Sequence, residues 1–512
     1  MKTNNQNMKF KKLLISAVCV ATIFSCQNDD DNTTKTPINT EVNFQYKTTI
    51  NIGGEGASEI SAYDAITKKL FTVNVESNQI SVNNISNLDA TVLEEPIDLS
   101  AFGAPNSVAI YDGKLAVAVE ADPKQNPGKI LVYNTSDNTL LNQYTVGALP
   151  DMVTFSKDGK LIISANEGEP NDDYTVDPEG SISVIDLSDD SVTTLDFTSF
   201  NSQESSLEAQ GFRVFGPEAT LAQDVEPEYI TVSEDSNTAW VSLQENNGIA
   251  KVNLITKTIE AIYPLGYKDY NITGNEIDAS DEDGVTALKN WPVLGMYQPD
   301  AITSANIGGI EYIFSANEGD SRDYDGFSEE ERVDDLTLDE TVYPFVNDFQ
   351  NEINLGRLKT TLTLGDADND GDVDQIYSFG ARSFSVWSGN GNLLYDSGNS
   401  IAKETLAETP SRFNDGDKRS DDKGAEPEAV EILNIGNERY ILFVGLERND
   451  QVMVYDVTNP TAPKYMAILS HTGDEAPEGL FVIPAIDSPN GKDLLVVSYE
   501  DSGTVSFYEN IQ

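Results

Sequence analysis

"DMVTFSKDGKLIISANEG", residues 151–168, contains the pattern from which the architecture of the whole chain follows. Two runs rich in β-branched and aliphatic residues flank the polar turn "KDGK" at 157–160. This pattern predicts two short antiparallel strands joined by a tight turn. A third such run, "GSISVIDL" at 180–187, follows after a polar segment. The unit is therefore predicted to be a small antiparallel sheet.

The same unit recurs along the whole chain. Each copy opens with a small residue or proline, then an acid, an amide or once a serine, then any residue, then an aliphatic residue. The copies are "ASEI" at 57–60, "PNSV" at 105–108, "PDMV" at 150–153, "PEYI" at 227–230, "PDAI" at 299–302, "PEAV" at 427–430 and "PEGL" at 477–480. Seven copies, each followed by short strands, predict an all-β fold: a seven-bladed β-propeller.

The propeller is predicted to span residues 43–512. The last copy offers only three strands, so we expect "VNFQYKTTINI" at 43–53 to supply the fourth and close the ring. Insertions at about 190–225, 261–297 and 326–375 interrupt the repeat, and we expect them to emerge from one face.

Two sets of acidic residues stand at equivalent places in the repeats. The second pattern position is occupied by Ser58, Asn106, Asp151, Glu228, Asp300, Glu428 and Glu478. A glutamate ends each second strand: Glu76, Glu120, Glu167, Glu245, Glu318, Glu447 and Glu500. Because the second strand returns antiparallel to the first, both sets are expected to gather around one mouth of the central channel.

Arg322 and Arg448 lie close in sequence to these acids, as does Arg419, and Arg382 stands in "GARSFS" at 380–385. Two interpretations stay open. The acids and arginines form a structural ion-pair network, or they form a cation or phosphate site in which Arg322, Arg382 and Arg448 bind an anion.

The segment "LGDADNDGDVDQ" at 364–375 carries five alternating aspartates: Asp366, Asp368, Asp370, Asp372 and Asp374. Counted from Asp366, Gly371 falls where a calcium-binding EF-hand loop requires glycine, but Tyr377 replaces the closing glutamate. We expect a Ca²⁺ site whose closing ligand comes from another segment. The alternative is a solvated acidic loop.

The N-terminal residues resemble a bacterial lipoprotein signal. Lys9, Lys11 and Lys12 precede an apolar run that ends in "IFSC", which predicts a signal peptide at 1–25, a lipid on Cys26 and a polar tether at 26–42. A plain cleaved signal peptide is the alternative. The expected location is the outer membrane or cell surface of a Gram-negative-type bacterium, with membrane contact through the lipid only.

The net charge of the chain limits the classes of ligand that it is expected to bind. The chain has 86 acidic and 32 basic residues, a formal charge of −54, which excludes nucleic acid binding through a basic patch. It favours calcium or other divalent cations as partners. The single histidine, His471, and the absence of cysteine after Cys26 argue against triad and cysteine nucleophile chemistry.

Several long phrases resemble the choice-of-anchor I family of bacterial exported proteins. They include "SANEGEPNDDYTVDPEGSISVIDL" at 164–187, "FSANEGDSRDYD" at 314–325 and "LGDADNDGDVDQIYSFGARSFSVW" at 364–387. The family is similar to mesenchyme-specific cell-surface glycoproteins of animals. The resemblance spans about residues 43–510 and implies an extracellular, calcium-associated protein.

Two functions are consistent with these sequence features. The first is a surface-anchored, calcium-binding propeller with a binding, adhesion or mineral-associated role, which binds cations, mineral or an extracellular ligand. The second is a calcium-dependent phosphoesterase, similar to an alkaline phosphatase or phytase, that uses Glu318 and Arg322 on a phosphate ester.

Overall fold

The computed structural model describes residues 41–512. The predicted signal peptide, Cys26 and most of the predicted tether lie outside the described residues. None of the helices within 41–512 is long and apolar enough to cross a membrane.

Strands account for most of the regular structure. In the first half of the chain they are β1 (Phe44–Asn51), β2 (Ser61–Asp64), β3 (Lys69–Asn74), β4 (Gln79–Asn84), β5 (Val92–Leu93), β6 (Ile97–Asp98), β7 (Pro105–Tyr111), β8 (Lys114–Val119), β9 (Pro127–Asn134), β10 (Leu140–Ala148), β11 (Pro150–Phe155), β12 (Leu161–Asn166), β13 (Ser181–Asp186), β14 (Ser191–Leu195), β15 (Pro227–Val232), β16 (Thr238–Leu243), β17 (Gly248–Asn253) and β18 (Thr258–Pro264). In the second half they are β19 (Tyr267–Asp269), β20 (Val293–Met296), β21 (Ile302–Ile307), β22 (Ile310–Asn317), β23 (Asp323–Tyr324), β24 (Phe327–Ser328), β25 (Glu330–Arg332), β26 (Lys359–Thr361), β27 (Ile376–Ser378), β28 (Ser383–Ser388), β29 (Leu393–Asp396), β30 (Pro427–Asn434), β31 (Tyr440–Leu446), β32 (Gln451–Asp456), β33 (Lys464–Leu469), β34 (Pro477–Ile483), β35 (Leu494–Tyr499) and β36 (Thr504–Asn510).

Helices are few and short. The α-helices are α1 (Glu204–Glu208), α2 (Leu221–Asp224), α3 (Val346–Phe349) and α4 (Ser400–Glu408). The 3₁₀ helices are Thr198–Gln203, Val333–Asp335, Pro410–Arg412 and Glu447–Asn449. The all-β class predicted from the repeat is confirmed.

The described strands form nine sheets, and seven of them each follow one copy of the repeat pattern. Their strand orders are β2-β3-β4-β5 with β6 beside β4, β7-β8-β9-β10, β11-β12-β13-β14, β15-β16-β17-β18, β21-β22-β28-β29, β30-β31-β32-β33 and β34-β35-β36-β1. Pairing within these seven sheets is antiparallel throughout.

The first strands of these sheets contact one another in a cycle. In chain order β2, β7, β11, β15, β21, β30 and β34 each pack against the next, and β34 packs against β2. A cycle of sheets around an axis is a β-propeller architecture. Because nine sheets are present, the predicted number of seven blades stays a prediction.

The final sheet is completed by the first strand of the described chain. β1 pairs antiparallel with β36, from Phe44 opposite Asn510 to Asn51 opposite Thr504. Ile50 is buried and packs with Leu70, Val496 and Phe507. The strand expected at 43–53 therefore lies where the repeat required a fourth strand.

Apolar residues fill the space between adjacent sheets. One cluster joins Ala116 and Ile130 of the second sheet to Val153, Phe155 and Ile162 of the third. The middle strands are buried on both faces, because each sheet has a neighbour on either side. This explains why "LIISAN" reads as a continuous run rather than an alternating one.

The two remaining sheets come from the insertions. β19, β20, β25 and β26 join β27 in a five-stranded sheet, in which β20 and β27 run parallel, and β23 and β24 form a small hairpin. The five-stranded sheet covers its own core, which includes Tyr270, Val293, Leu355 and Ile376. The insertions at 261–297 and 326–375, which are distant in sequence, thus fold together.

Candidate cation-binding site

The repeat pattern places its acidic residue at a distortion of the first strand. In five of the seven sheets the register slips between the pattern's proline and the third or fourth pattern residue, as between Pro150 and Val153. Proline has no N–H to donate, and a β-bulge re-aims the side chain beside it. The proline with its bulge therefore accounts both for the repeat pattern in the sequence and for the orientation of the acidic side chain that follows the proline.

Three of these acids, Asp151, Asp300 and Glu478, border an open cavity of about 380 Å³. Its polar lining is Glu59, Asn106, Ser107, Glu120, Lys124, Asp151, Glu167, Glu169, Asp300 and Glu478, and its apolar lining is Ile60, Val75, Ala104, Leu149, Met152, Tyr229 and Ala301. Acids from both predicted sets thus meet here. They do so because Pro150, at the start of β11, pairs with Asn166, directly before Glu167.

The first sheet departs from the pattern. Ser58, at the second pattern position, is buried, and its Oγ donates to the carbonyl of Thr504 at 2.9 Å. The next residue, Glu59, lines the cavity instead. Sequence reasoning missed Glu59 because "ASEI" lacks the proline, and the acid is displaced by one residue.

Glu76 does not join the cavity lining. It is exposed, and its carboxylate accepts a hydrogen bond from the backbone N–H of Gly54 at 3.3 Å. Of the seven strand-end glutamates, Glu120 and Glu167 line this cavity, whereas Glu245, Glu318, Glu447 and Glu500 lie outside its lining as Glu76 does. The structure therefore brings only part of the predicted set to this cavity.

Burial dominates the electrostatics of the acids. It raises the pKa of Asp151 to about 7, with further contributions from Glu169 and Glu120. It raises the pKa of Glu59 to about 8, assisted by Glu500, and that of Glu447 to about 8, assisted by Glu426. Burial also raises the pKa of further acids well above its usual range: Glu167, Glu228, Asp300, Glu428 and Glu478.

Three acids of the first strands have a buried oxygen without a partner. The Oε2 atoms of Glu228, Glu428 and Glu478 are inaccessible to solvent and accept no hydrogen bond from the described residues. Burying a polar atom in this way costs free energy, because it has left water without replacing the lost hydrogen bonds. Such atoms mark a place where a ligand, an ion or a bound proton restores the balance.

Arg322 has its partners inside the protein. Its side chain is 2% exposed, and its Nη1 lies 2.6 Å from Asp224 Oδ1 while Nη2 lies 3.0 Å from Glu226 Oε1. Its guanidinium also packs 4.5 Å from the ring centre of Phe215, and Arg213 packs on the same ring at 4.0 Å. The predicted anion-binding role for Arg322 is therefore wrong, since its charge is taken up by two buried carboxylates.

Arg382 is similarly occupied. It is 8% exposed and donates to the backbone carbonyls of Asp278 at 2.7 Å, Ser420 at 3.1 Å and Asp422 at 2.5 Å. Arg382 thus connects the segment before β30 to the insertion at 261–297. Both terminal nitrogens of its guanidinium donate to carbonyl groups of the protein.

A second charge network surrounds Glu426, the residue before a pattern proline. Glu426 accepts from Arg419 at 2.7 Å and from Arg448 at 3.1 Å, and Arg448 also pairs with Glu447 at 2.7 Å. Glu318 pairs with Lys423 at 2.8 Å rather than with Arg322. Arg448 is the most exposed of the three candidate arginines, and its anion-binding role stays a prediction.

The aspartate loop is folded around its own carboxylates. Asp366 accepts from the N–H groups of Asp370 and Gly371, both at 3.1 Å, and Asp374 accepts from Ala367 at 2.8 Å. Gly371 has a φ of 100°, a conformation that favours glycine. Carboxylate oxygens of Asp366, Asp368 and Asp374 lie within 4.8 Å of one another.

A residue from outside the loop completes a second group. Asp339, Asp372 and Asp374 also bring their carboxylate oxygens within 4.8 Å, so Asp374 belongs to both groups. The segment of Asp339 is held beside the loop because its N–H donates to the carbonyl of Val373 at 3.1 Å. Desolvation, with the charges of Asp370 and Asp339, raises the pKa of Asp372 to about 6.

His471 is not part of an acid–base triad. Its ring stacks on Tyr46 of β1, with ring centres 3.8 Å apart, and its Nδ1 lies 3.4 Å from Asp474. Asp474 accepts from the hydroxyls of Ser506 and Thr504, so no hydroxyl of these residues is placed on the imidazole.

Sequence reasoning also missed Lys124, Glu169, Glu226, Lys423 and Asp339. The residues before the pattern prolines carried a signal in "EPE", which occurs at 226–228 and 426–428. Lys124, Glu169 and Asp339 lie in loops outside any repeat, so nothing in the sequence pattern marked them.

The raised pKa values predict how stability depends on pH. A carboxyl whose pKa is higher in the folded protein binds its proton more tightly there, so its stabilising contribution is complete below the unfolded pKa and is lost as pH rises through the folded value. With chelator present, the melting temperature should therefore fall steadily between about pH 5 and pH 8. Thermal unfolding at fixed ionic strength measures this.

A matched pair of variants assigns the effect to the buried acids. Glu59→Gln should flatten the pH dependence, whereas Glu55→Gln, an exposed acid in the same segment, should leave it unchanged. A melting temperature that rises across this range would contradict the assignment.

Comparisons with known proteins place the chain among its relatives. A family model described as the choice-of-anchor I domain matches residues 59–460. Gigasin-3a from Magallana gigas is 31% identical over 188 residues, covering 31% of this chain and 66% of that protein, so the chain spans just under two thirds of that relative.

Solved structures give weaker likenesses. Hydrazine synthase from Kuenenia stuttgartiensis is 10% identical with a TM-score of 0.48, covering 89% of this chain and 96% of that one. The Cps50 (Swd1) β-propeller domain of Myceliophteria thermophila is 7% identical with a TM-score of 0.45, covering 91% and 99%. These scores are too low to carry an argument, and the fold rests on the strand pairing described above. The family match covers most of the chain, and the protein is a surface-associated or exported propeller protein that belongs to the choice-of-anchor I family.

Proposed function

We propose that this protein is a surface-anchored, calcium-binding, seven-bladed propeller whose role is binding, in adhesion or in association with mineral, rather than catalysis. The observation that carries the proposal is the presence of two clusters of three aspartates each. One contains Asp366, Asp368 and Asp374, the other contains Asp339, Asp372 and Asp374, and Asp374 belongs to both. Calcium takes six to eight oxygen ligands in flexible geometry, which such a loop can offer.

Electrostatics supports a cation at this loop. Five aspartates of one short segment are joined by Asp339, and no lysine or arginine of the described residues pairs with any of the six. One divalent ion cancels only part of this charge, so the loop is expected to loosen without calcium. Asp339 supplies the closing ligand that Tyr377 cannot.

The arginine contacts favour binding over phosphoester hydrolysis. Phosphoryl transfer needs cationic donors directed at the phosphate oxygens. Arg322 and Arg382 donate to groups of the protein itself, and Arg448 is shared between Glu426 and Glu447. A phosphate would have to displace these partners.

Substitution within the loop tests the calcium site. Asp368→Asn with Asp370→Asn should weaken calcium binding roughly tenfold or more, because affinity follows the number of charged ligands. Calcium at about 100 times the dissociation constant stabilises the folded state by about 2.7 kcal/mol per site, and this gain should shrink in the variant. Titration calorimetry and thermal unfolding report the two quantities.

The matched control lies in another exposed acidic loop. Asp172→Asn with Asp173→Asn removes the same charge from two neighbouring exposed residues and should leave the calcium titration unchanged. An equal loss of affinity in both double variants would show a general charge effect and contradict a site at 366–374.

The catalytic alternative has its own test. Purified protein with calcium should show no turnover above background on aryl phosphates, nucleotides or inositol phosphates, because the candidate arginines are already engaged by groups of the protein. Calcium-dependent turnover that is abolished by Arg448→Ala, and retained by Arg439→Ala, would establish a phosphoesterase instead.

Anchoring at Cys26 is the remaining element of the proposal. Cys26→Ala should move the protein from the membrane fraction to the soluble fraction and abolish metabolic labelling with a fatty acid. Cys19→Ala, within the predicted signal peptide, serves as the control and should leave labelling intact. A labelled Cys26→Ala protein would exclude this anchor.

A further inference from the structure

The two ends of the ring of sheets differ in their loops. The pattern acids stand where the first strands begin, so the turns that join first to second strands lie at the opposite end. This end, named here the turn face, is formed by residues 65–68, 112–113, 156–160, 233–237, 308–309, 435–439 and 484–493. The three insertions leave the ring between β14 and β15, β18 and β21, and β22 and β28, all at the acid-bearing end. The turn face is therefore formed by short loops and carries none of the insertions.

Four exposed isoleucines stand on the turn face. Ile66 and Ile486 lie in two of its turns, and Ile310 directly follows a third. Ile255 lies in the turn between β17 and β18, which reaches the same end because β17 runs antiparallel to β16. Each of the four is more than half exposed, and Ile486 is 91% exposed. Isoleucine is among the residues most often buried, and its burial is favourable, so this face is suited to an apolar partner.

Hydrogen bonds hold the turns together as one surface. Tyr63 Oη and Lys68 Nζ both donate to the carbonyl of Asp487, at 3.0 and 2.8 Å, so the turn with Ile66 lies against the loop with Ile486. Similar hydrogen bonds join the turns of the third and fourth sheets and those of the fifth and sixth sheets. The isoleucines therefore project from a connected surface rather than from separate loops.

Charge also distinguishes the two ends. On the turn face Lys160 lies 2.6 Å from Asp158, and Lys492 lies 2.9 Å from Glu509. The short turns at the acid-bearing end, residues 75–78, 120–126, 244–247, 447–450 and 500–503, each contain a glutamate and contain no isoleucine or leucine. Phosphate groups of a lipid surface repel unpaired carboxylates, so they disfavour the acid-bearing end more than the turn face.

The first strand enters the ring at the turn face. Phe44, which begins β1, is opposite Asn510 of β36, and the neighbouring Glu509 is opposite Leu494, directly after the loop 484–493. Residues 27–43 join Cys26 to β1, and a segment of this length spans at most about 60 Å. A lipid on Cys26 therefore holds a membrane on the side of the molecule where the exposed isoleucines lie.

We propose that the turn face rests on the phospholipid bilayer that carries the anchor, with Ile66, Ile255, Ile310 and Ile486 inserted among the headgroups and the pattern acids directed away. This contact is additional to the lipid-only contact expected from the sequence. The orientation rests on the proposed anchor at Cys26, which the experiment below tests separately. Because apolar side chains supply the attraction and the neighbouring charges are paired, docking depends little on salt.

Single-site labelling of the full chain tests the proposal. The sequence has no cysteine after Cys26, so one introduced cysteine can carry a polarity-sensitive fluorophore. Ile486→Cys places it on the turn face, and Val176→Cys places it on an exposed residue between β12 and β13, at the acid-bearing end. The anchored protein is reconstituted into phosphatidylcholine vesicles that contain a phospholipid with a headgroup nitroxide. We expect a blue-shifted emission at 486 and several-fold stronger nitroxide quenching there than at 176.

Substitutions identify the side chains that cause docking. Ile66→Ser with Ile255→Ser should lower the ratio of docked to undocked protein, followed by quenching at 486, about tenfold or more, because two apolar side chains no longer leave water. Ile272→Ser with Val285→Ser removes two exposed apolar residues from the insertion at 261–297 and should leave the quenching unchanged. All four side chains are exposed, so the melting temperatures should stay near that of the wild type.

Flotation with the vesicles measures attachment independently of docking. A protein that floats, yet is quenched equally at 486 and 176, would overturn the docked face and leave the anchor intact. If the protein carries no lipid, the anchor fails, and flotation with stronger quenching at 486 would still support the face, whereas no flotation would overturn it. Equal losses in both double variants, or docking abolished by high salt, would also contradict it. So would a dimer in sedimentation that is lost with Ile66→Ser and Ile255→Ser, since a second copy would then cover the face.

Discussion

Loss of water by carboxylates gathered around one axis, with repulsion between them as a smaller contribution, is the main electrostatic constraint on this protein. A propeller brings the same position of each repeat to its centre, so an acid in the repeat becomes a ring of acids. Each member loses water and gains like charges, and both effects raise its pKa, as they do for Asp151 and Glu59. The fold must supply protons, cations or hydrogen bonds to these groups.

Some of these acids are compensated by lysine or arginine side chains of the protein, and others are not. Lys124, Lys423 and Arg448 pair with acids near the axis, and Arg322 pairs with Asp224 and Glu226. Such buried pairs are costly to break, because removal of one partner leaves an uncompensated charge. Glu228, Glu428 and Glu478 have an oxygen that receives no such help from the described residues. Within the described residues, acids with an internal cationic partner and acids with an unpartnered oxygen thus occur side by side.

A site residue could be predicted from the sequence only where it occupies the expected position of the repeat. Asp151, Asp300 and Glu478 were predictable, because a proline and a strand fix where each side chain points. Glu59 was not, since its copy lacks the proline and shifts the acid by one residue. Arg322 shows the opposite error: it stands four residues from Glu318 in sequence, yet it pairs with Asp224 and Glu226, about one hundred residues earlier. Proximity in sequence says little once insertions fold across sheets.

The pairing of β1 with β36 has a consequence for the order in which the chain can fold. Phe44 meets Asn510, so the final sheet cannot be completed until nearly the whole polypeptide is available. Closing so long a loop is entropically costly, and folds dominated by such distant pairings form slowly. While synthesis continues, the chain remains an open ring with an unpaired edge at β1. A polypeptide that is exported before it folds benefits from this delay, whereas one that is truncated before Thr504 keeps a strand edge free for pairing with other chains.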